Sequence, residues 1–359
     1  MKMSRLSAAG YIFNIANFYQ KLDRPAPEVT VYLNINRRQS LSLLVFLLYL
    51  FVAQCATTTH AAGYPDRPVR VILPFPAGTV TDNTTRVIAE RLTQRLGQPF
   101  VVENRPGGNG SIGAALAARA APDGYTLLLT TNTTHSVISS LLKKVPYDPQ
   151  KDFTPIVKIA GLPSMVLTGP SLIVNTLQEL VKFIKANPGK VRYGFGNSSG
   201  QIGGENLRRA IGAEMVPVPY KGNPQGVQDL LGGHLDAMVV DVTTGLGAVR
   251  SGKAKALAVL TEKRMDILPE VPTLNEALGP GNDAVAWFGM LGPAGMPAEV
   301  IELLAREVKA ALDDSAIDAK LKGMGIVPSY LPPAAFTPFL ASEQVRWTTL
   351  AKNAGISPE

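Results

Sequence analysis

The sequence has one cysteine, Cys55, three histidines and two tryptophans in 359 residues, and only 18% of its residues are charged. A single thiol forms neither an internal disulfide nor a zinc ligand set, and the separated His60, His135 and His234 have no metal-ligand spacing. The formal charge of +7 is modest, and residues 1–61 carry +4 of it through Lys2, Arg5, Lys21, Arg24, Arg37 and Arg38 against Asp23 and Glu28. The +3 left to the remainder includes no basic run and no aromatic-interleaved patch, so nucleic acid is excluded as a partner. The longest apolar run, LSLLVFLLYLFVA from Leu41 to Ala53, has 13 residues and falls short of the ~20 that a membrane span needs.

That run follows Arg37 and Arg38 and precedes the small-residue stretch TTTHAAG, which is the order of a secretory leader. Cleavage is expected after Ala61 on export, and the processed chain would have no cysteine. NRRQSL, Asn36 to Leu41, matches a twin-arginine signal weakly, and the 35 residues before it suggest a translation start downstream of Met1. Gln54 fits a lipoprotein box poorly, so lipid attachment at Cys55 is not expected.

With 46% hydrophobic residues, the remaining chain has material for two α/β domains. From Tyr64 the pattern is strand, turn, helix, repeated. VRVILPF reads as a buried strand; Ile88, Leu92 and Leu96 then mark a helix that Thr81 or Asp82 would cap. FVVENR, SIGAALAARAA and YTLLLTT continue as strand, helix and strand, and the alternation predicts a mostly parallel sheet. VPYDPQKDFTP, Val145 to Pro155, reads as a surface connection to a second set of elements. Within that set VRYGF, VPVPY, AMVVDV and KALAVL are strands, with helices at LQELVKFIKANPG, GENLRRAIGA and QGVQDLLGG. PAEVIELLAREVKAALDD is a further helix, with Pro297 in its first turn and Ile301, Leu304, Val308, Ala311 and Leu312 on its apolar face.

Three motifs suggest chemistry that their surroundings do not support. GNGSIG, Gly108 to Gly113, has the dinucleotide-loop spacing, but the next strand ends in threonine and asparagine, not an acid. GNSSG, Gly196 to Gly200, sets Ser198 where a hydrolase nucleophile would stand. Its downstream acid and base would be Asp229 and His234, five residues apart on one helix, without the separate loops a triad uses. GAVRSGKA, Gly247 to Ala254, lacks the Ser or Thr of a phosphate loop. No catalytic set and no cofactor are expected. What remains is a repeated arrangement: Gly78 to Asp82, Thr130 to Thr134, Gly196 to Gly200 and Tyr220 to Asn223 each follow a predicted parallel strand. They should gather at the carboxyl edges of two sheets, where backbone N–H groups and helix N-termini make a receptacle for an anion.

The motifs YPDRPVRVILPFPAG, VVENRPGG, APDGYTLLL, PYDPQKDFTPI, PYKG, LPEVPTLNEA and GPAGMP, in this order, resemble the Bordetella-uptake-gene family. Its members are the TctC-like extracytoplasmic solute receptors of tripartite tricarboxylate transporters. The resemblance implies a periplasmic-binding-protein fold, type II-like, with two α/β lobes, a hinge and a central cleft. Residues 64–165 plus 288–359 would form one lobe and 166–287 the other. It also implies capture of a small carboxylate, such as a di- or tricarboxylate, amino acid or aromatic acid, and delivery to membrane permease subunits. Carried over by position, Pro76, Ala77, Gly78, Thr79, Thr81, Asp82, Thr131, Asn132, Thr133 and Thr134 would line the cleft from the first lobe. Asn197, Ser198, Ser199, Tyr220, Lys221 and Asp241 would line it from the second, with Asp241 paired to Lys221 or receiving a ligand amine or hydroxyl. Thr79 stands where the family has a second glycine, which predicts a smaller or differently polar pocket. Two alternatives stay open: a sensor that docks on a signalling protein, and a secreted serine hydrolase using Ser198.

Overall fold

The computed structural model describes residues 63–358; the leader, the twin-arginine match, Cys55 and the cleavage after Ala61 lie outside the described residues. β-Branched and leucine-rich runs form the strands. The first sheet contains β1 (Val69–Leu73), β2 (Phe100–Asn104), β3 (Thr126–Thr131), β4 (Phe153–Leu162), β10 (Ala286–Pro293) and β11 (Val327–Leu331), in the order β11-β4-β10-β3-β1-β2. The second contains β5 (Ser164–Thr168), β6 (Arg192–Phe195), β7 (Val216–Pro219), β8 (Ala237–Asp241) and β9 (Lys255–Val259), in the order β7-β6-β8-β5-β9.

Both sheets are mixed, which corrects the expectation of mostly parallel pairing. β1 runs parallel to β2 and β3, and β6 parallel to β7 and β8. β10 lies antiparallel between β3 and β4, and β5 antiparallel between β8 and β9. The reversed strands belong to the segments that carry the chain between lobes: β4 leads through Pro163 alone into β5, and the chain returns between β9 and β10. Ser164 and Met165 pair with Asp241 and Val240 in the second sheet, and Ala286 and Trp287 pair in the first. The crossings therefore lie about two residues earlier than the lobe limits carried over from the resemblance.

Helices pack on the sheets by their apolar stripes. In α1 (Val80–Leu96), Ile88 and Leu92 are buried; burying side chains of this kind stabilises by about 1.5–3 kcal/mol each. The helix ends at Gly97, whose left-handed φ of 73° suits a residue without Cβ. After the 3₁₀ turn Gly108–Gly110, α2 (Ser111–Ala118) packs so closely on the ends of β1 and β2 that a Cβ on Gly113 would lie 3.0 Å from Pro74 Cα and 2.8 Å from the Arg105 carbonyl oxygen. The glycines of GNGSIG thus serve close helix packing. Two single-turn helices follow, α3 (Asn132–His135) and α4 (Ile138–Leu141). The second lobe carries α5 (Leu177–Ala186), α6 (Ser198–Ile211), α7 (Asn223–Leu231) and α8 (Val242–Arg250). α6 starts six residues before the expected GENLRR helix, because Asn197 caps it through the Gly200 N–H. α9 (Leu274–Leu278) precedes β10, and α10 (Ala298–Leu312), α11 (Ser315–Gly323) and α12 (Pro333–Asn353) complete the first lobe. Among the described residues no helix is long and apolar enough to cross a membrane.

Candidate ligand-binding cleft

Parallel strands deliver their carboxyl ends to one edge, so the turns after β1 and β3 meet those after β6, β7 and β8 across the gap between lobes. They enclose a cavity of about 60 Å3. Each turn opens a helix or a helical turn. Thr79 caps α1, with extended backbone and its hydroxyl accepting from the Asp82 N–H; Thr131 caps α3, Asn197 caps α6 and Asp241 caps α8. α7 begins after Gly222 with no side-chain cap. The cap of α1 is therefore neither Thr81 nor Asp82, which stand inside its first turn. Helix geometry leaves first-turn N–H groups without intrahelical partners, and each terminus adds about half a positive charge.

The cavity brings together ten of the expected residues: Pro76, Thr79, Thr81, Thr131, Asn132, Thr133, Asn197, Ser199, Lys221 and Asp241. Six others lie off its wall. Ala77 and Gly78 stay in the turn behind Thr79, and Gly78 has φ 78°. Asp82 faces inward: its carboxylate accepts from the Gly78 N–H at 3.0 Å, Asn104 Nδ2 at 2.9 Å and Arg86 at 3.0 Å. Burial by itself would raise the Asp82 carboxyl, but Arg86, the Gly78 N–H and Asn104 outweigh burial and hold it below the ordinary range. Asp82 therefore ties the PFPAGT turn to β2. Asp82→Ala is expected to strand these donors and cost about 2–3 kcal/mol in urea unfolding; an unchanged midpoint at unchanged slope would refute this role. Thr134 is turned into the first lobe, where its hydroxyl lies 2.6 Å from that of Thr130. Tyr220 is turned into the second lobe and donates to Asp229 at 2.9 Å.

Ser198 bridges the lobes: its Oγ lies 2.7 Å from Thr133 Oγ1 and accepts from Asn132 Nδ2 at 3.3 Å. Neither His135 nor His234 reaches Ser198. His135 Nδ1 lies 2.5 Å from Thr130 Oγ1, and His234 is exposed after α7. Thr79 also reaches across, its methyl 3.7 Å from where a Cβ on Gly222 would stand. Asp241 does not pair with Lys221. Its Oδ1 accepts from the Thr244 N–H and hydroxyl at 2.8 and 2.7 Å, and its Oδ2 from Asn223 Nδ2 at 2.5 Å.

Asn223 ends the Tyr220 to Asn223 turn that the sequence places at the sheet edge, but it is absent from the residues carried over from the resemblance. It is buried, lines the cavity, and its Oδ1 has no partner among the described residues. The signal was present: an asparagine directly before Pro224, at the start of a helix after an uncapping glycine. Phe75, Leu162 and Ala286 add to the apolar part of the wall, and unlike Asn223 they carried no mark in the sequence.

Residues 84–356 match the model of the TctC family, "Tripartite tricarboxylate transporter family receptor". Protein BugT of Bordetella pertussis is 34% identical over 316 residues, covering 87% of this chain and 97% of BugT. Among solved structures, R. palustris Rpa4515 with adipate superposes with a TM-score of 0.80 at 32% identity, covering 82% of this chain and 100% of that one. MatC from Rhodopseudomonas palustris with bound malate gives 0.73 at 29%, covering 80% and 99%. Two mixed sheets, turns facing each other at their carboxyl edges and a match along most of the chain give one conclusion: this protein belongs to the TctC family of tripartite tricarboxylate transporter receptors.

Proposed function

We propose that the chain is a periplasmic receptor that captures a small carboxylate by closing its two lobes and hands it to the permease subunits of a tripartite transporter. The observation that carries this reading is the meeting of four helix N-termini and one short helical turn on a single cavity whose wall holds one cation, Lys221. Such a site neutralises an anion with backbone dipoles and N–H groups and needs no arginine clamp. The ligands of the two R. palustris relatives, adipate and malate, support the same class. At about 60 Å3, far below the roughly 300–1,000 Å3 of drug-sized sites, the closed cavity favours a compact acid. The Thr133–Ser198 contact adds to closure, since it forms only when the lobes meet. Ser198 has two hydrogen-bond partners and neither of them is a base, so the hydrolase alternative gains no support.

A thermal-unfolding panel on residues 62–359, refolded from denaturant and exposed to acids, amines and sugars, tests the reading. A carboxylate at 100 times its dissociation constant should add ~2.7 kcal/mol and several degrees. Thr79→Gly removes the methyl that approaches Gly222 and should shift the response toward longer acids. A response confined to sugars or amines would overturn the proposal.

A further inference from the structure

A much larger cavity, about 810 Å3, lies on the other face of the hinge. Gly161 and Pro163 line it, whereas Leu162 between them lines the cleft, as alternation along an extended chain requires. Its volume falls within the roughly 300–1,000 Å3 of small-molecule sites. Lys158 of β4 is 8% exposed there, and its ammonium donates to the Ser329 carbonyl at 3.1 Å and to the Ser329 hydroxyl. Among the described residues it has no carboxylate partner at ion-pair distance. Glu343, which also lines the cavity, is engaged by Arg346 at 3.3 Å and by Trp347 Nε1 at 2.8 Å. Beside the ammonium stands an aromatic wall: the Phe339 ring centre is 5.1 Å from Lys158 Nζ, and Trp287 is 5.7 Å from Phe339. From the second lobe and the returning segment come Arg250, Lys263, Met265 and Ile267.

A buried cation whose nearest carboxylate influence, Glu343, stays beyond ion-pair distance is costly, and a cavity of this size with an aromatic wall beside it accepts a ligand that supplies both charge and bulk. We propose that this cavity is a second ligand site, for a carboxylate on an extended apolar body such as a medium-chain fatty acid. The carboxylate lies at Lys158 and Ser329, and the chain lies along Phe339, Trp287 and Met265. Burial pushes the Lys158 ammonium down to about 8, which leaves it mostly charged at neutral pH and raises the gain from an anionic partner. The occupant touches both lobes. Ala286 lines both cavities, and α8 runs from Asp241 in the cleft to Arg250 here. Binding that prefers one hinge angle therefore changes affinity in the cleft, and the reverse holds equally.

The test uses the processed, secreted protein and octanoate, with 1-octanol as the uncharged comparison, read by calorimetry and tryptophan fluorescence. Octanoate should bind, octanol should bind at least about tenfold more weakly, and Lys158→Met should lose a similar factor for octanoate. Lys221→Ala, in the cleft, should leave octanoate affinity unchanged. If Lys158→Met does not fold, Phe339→Ala serves in its place and should weaken octanoate without altering the response to the cleft acid. The proposal is overturned if octanoate does not bind, if octanol binds equally, or if Lys158→Met or its substitute binds octanoate unchanged. Loss of octanoate binding in Lys221→Ala would place it in the cleft and also overturn the proposal. A negative result here leaves the carboxylate panel for the cleft intact, so the two readings fail separately.

Discussion

Gly196→Ala is expected to abolish ligand binding and to lower stability by about 3 kcal/mol. Gly196 follows β6 on the cleft wall, and a Cβ there would lie 2.3 Å from the Asn223 nitrogen and 2.4 Å from the Gly222 carbonyl carbon. Both are backbone atoms, so no rotamer change relieves the overlap. The strands cannot separate freely either: Phe195 pairs with Pro219, and the Tyr220 N–H donates to the Phe195 carbonyl at 2.9 Å. The Gly222–Pro224 turn must move, and with it the N-terminus of α7 and the free Oδ1 of Asn223. Gly222→Ala is the informative partner, because its Cβ would meet nothing nearer than 3.7 Å and its backbone, at φ −173°, is extended. Urea unfolding and calorimetry on both variants decide the matter. Equal midpoints, with ligand still bound by Gly196→Ala, would show that the two turns are not locked together.

Between pH 7 and pH 5 the protein should lose about 2 kcal/mol of stability through one residue, His135. Burial pushes the His135 imidazole down from 6.5 to about 3, and its Nε2 has no partner among the described residues. Its ring meets Phe153 edge-on at 4.7 Å and its Nδ1 meets only the hydroxyls of Thr130 and Thr134, so among the described residues no carboxylate offsets the burial of an imidazolium. Below pH 6.5 the unfolded chain gains a proton here that the folded protein refuses until about pH 3. The stabilisation is complete above the unfolded value and is lost as pH falls, at about 1.4 kcal/mol per unit. The lowered carboxylates Asp82, Glu103, Asp148, Asp236 and Glu276 lose their contribution only below the ordinary carboxylate range, outside this window. Lys158, lowered to about 8, has given up its share before pH 7 is reached. Denaturant titrations at both pH values should therefore show a steep loss in the parent protein and a nearly flat response in His135→Gln. An equal slope in the two would remove His135 from the account.

The sequence by itself determined what depends on neighbours along the chain. Period-2 and period-3.6 patterns located the strands and helices, and parallel strands separated by helices place their following turns at one edge whatever the rest of the chain does. That is why the turns holding Thr79, Thr131 and Asn197 could be placed at one edge from the pattern alone, whereas Asp241 entered only through the resemblance that the ordered motifs from Tyr64 onward carry. The tertiary structure decided what depends on distant partners. β10 enters between β3 and β4 more than a hundred residues after them, and no local pattern sets the direction of that pairing. Within one turn, Tyr220 faces Asp229 and Asn223 faces the cleft, because the outlook of each side chain depends on how β7 sits against its neighbours. Asp82 became a tie for the turn once Asn104 arrived from the adjacent strand. The hinge cavity follows the same rule: Lys158, Trp287 and Phe339 are far apart in sequence, and only the packing of β4, β10 and α12 sets a buried cation beside an aromatic wall.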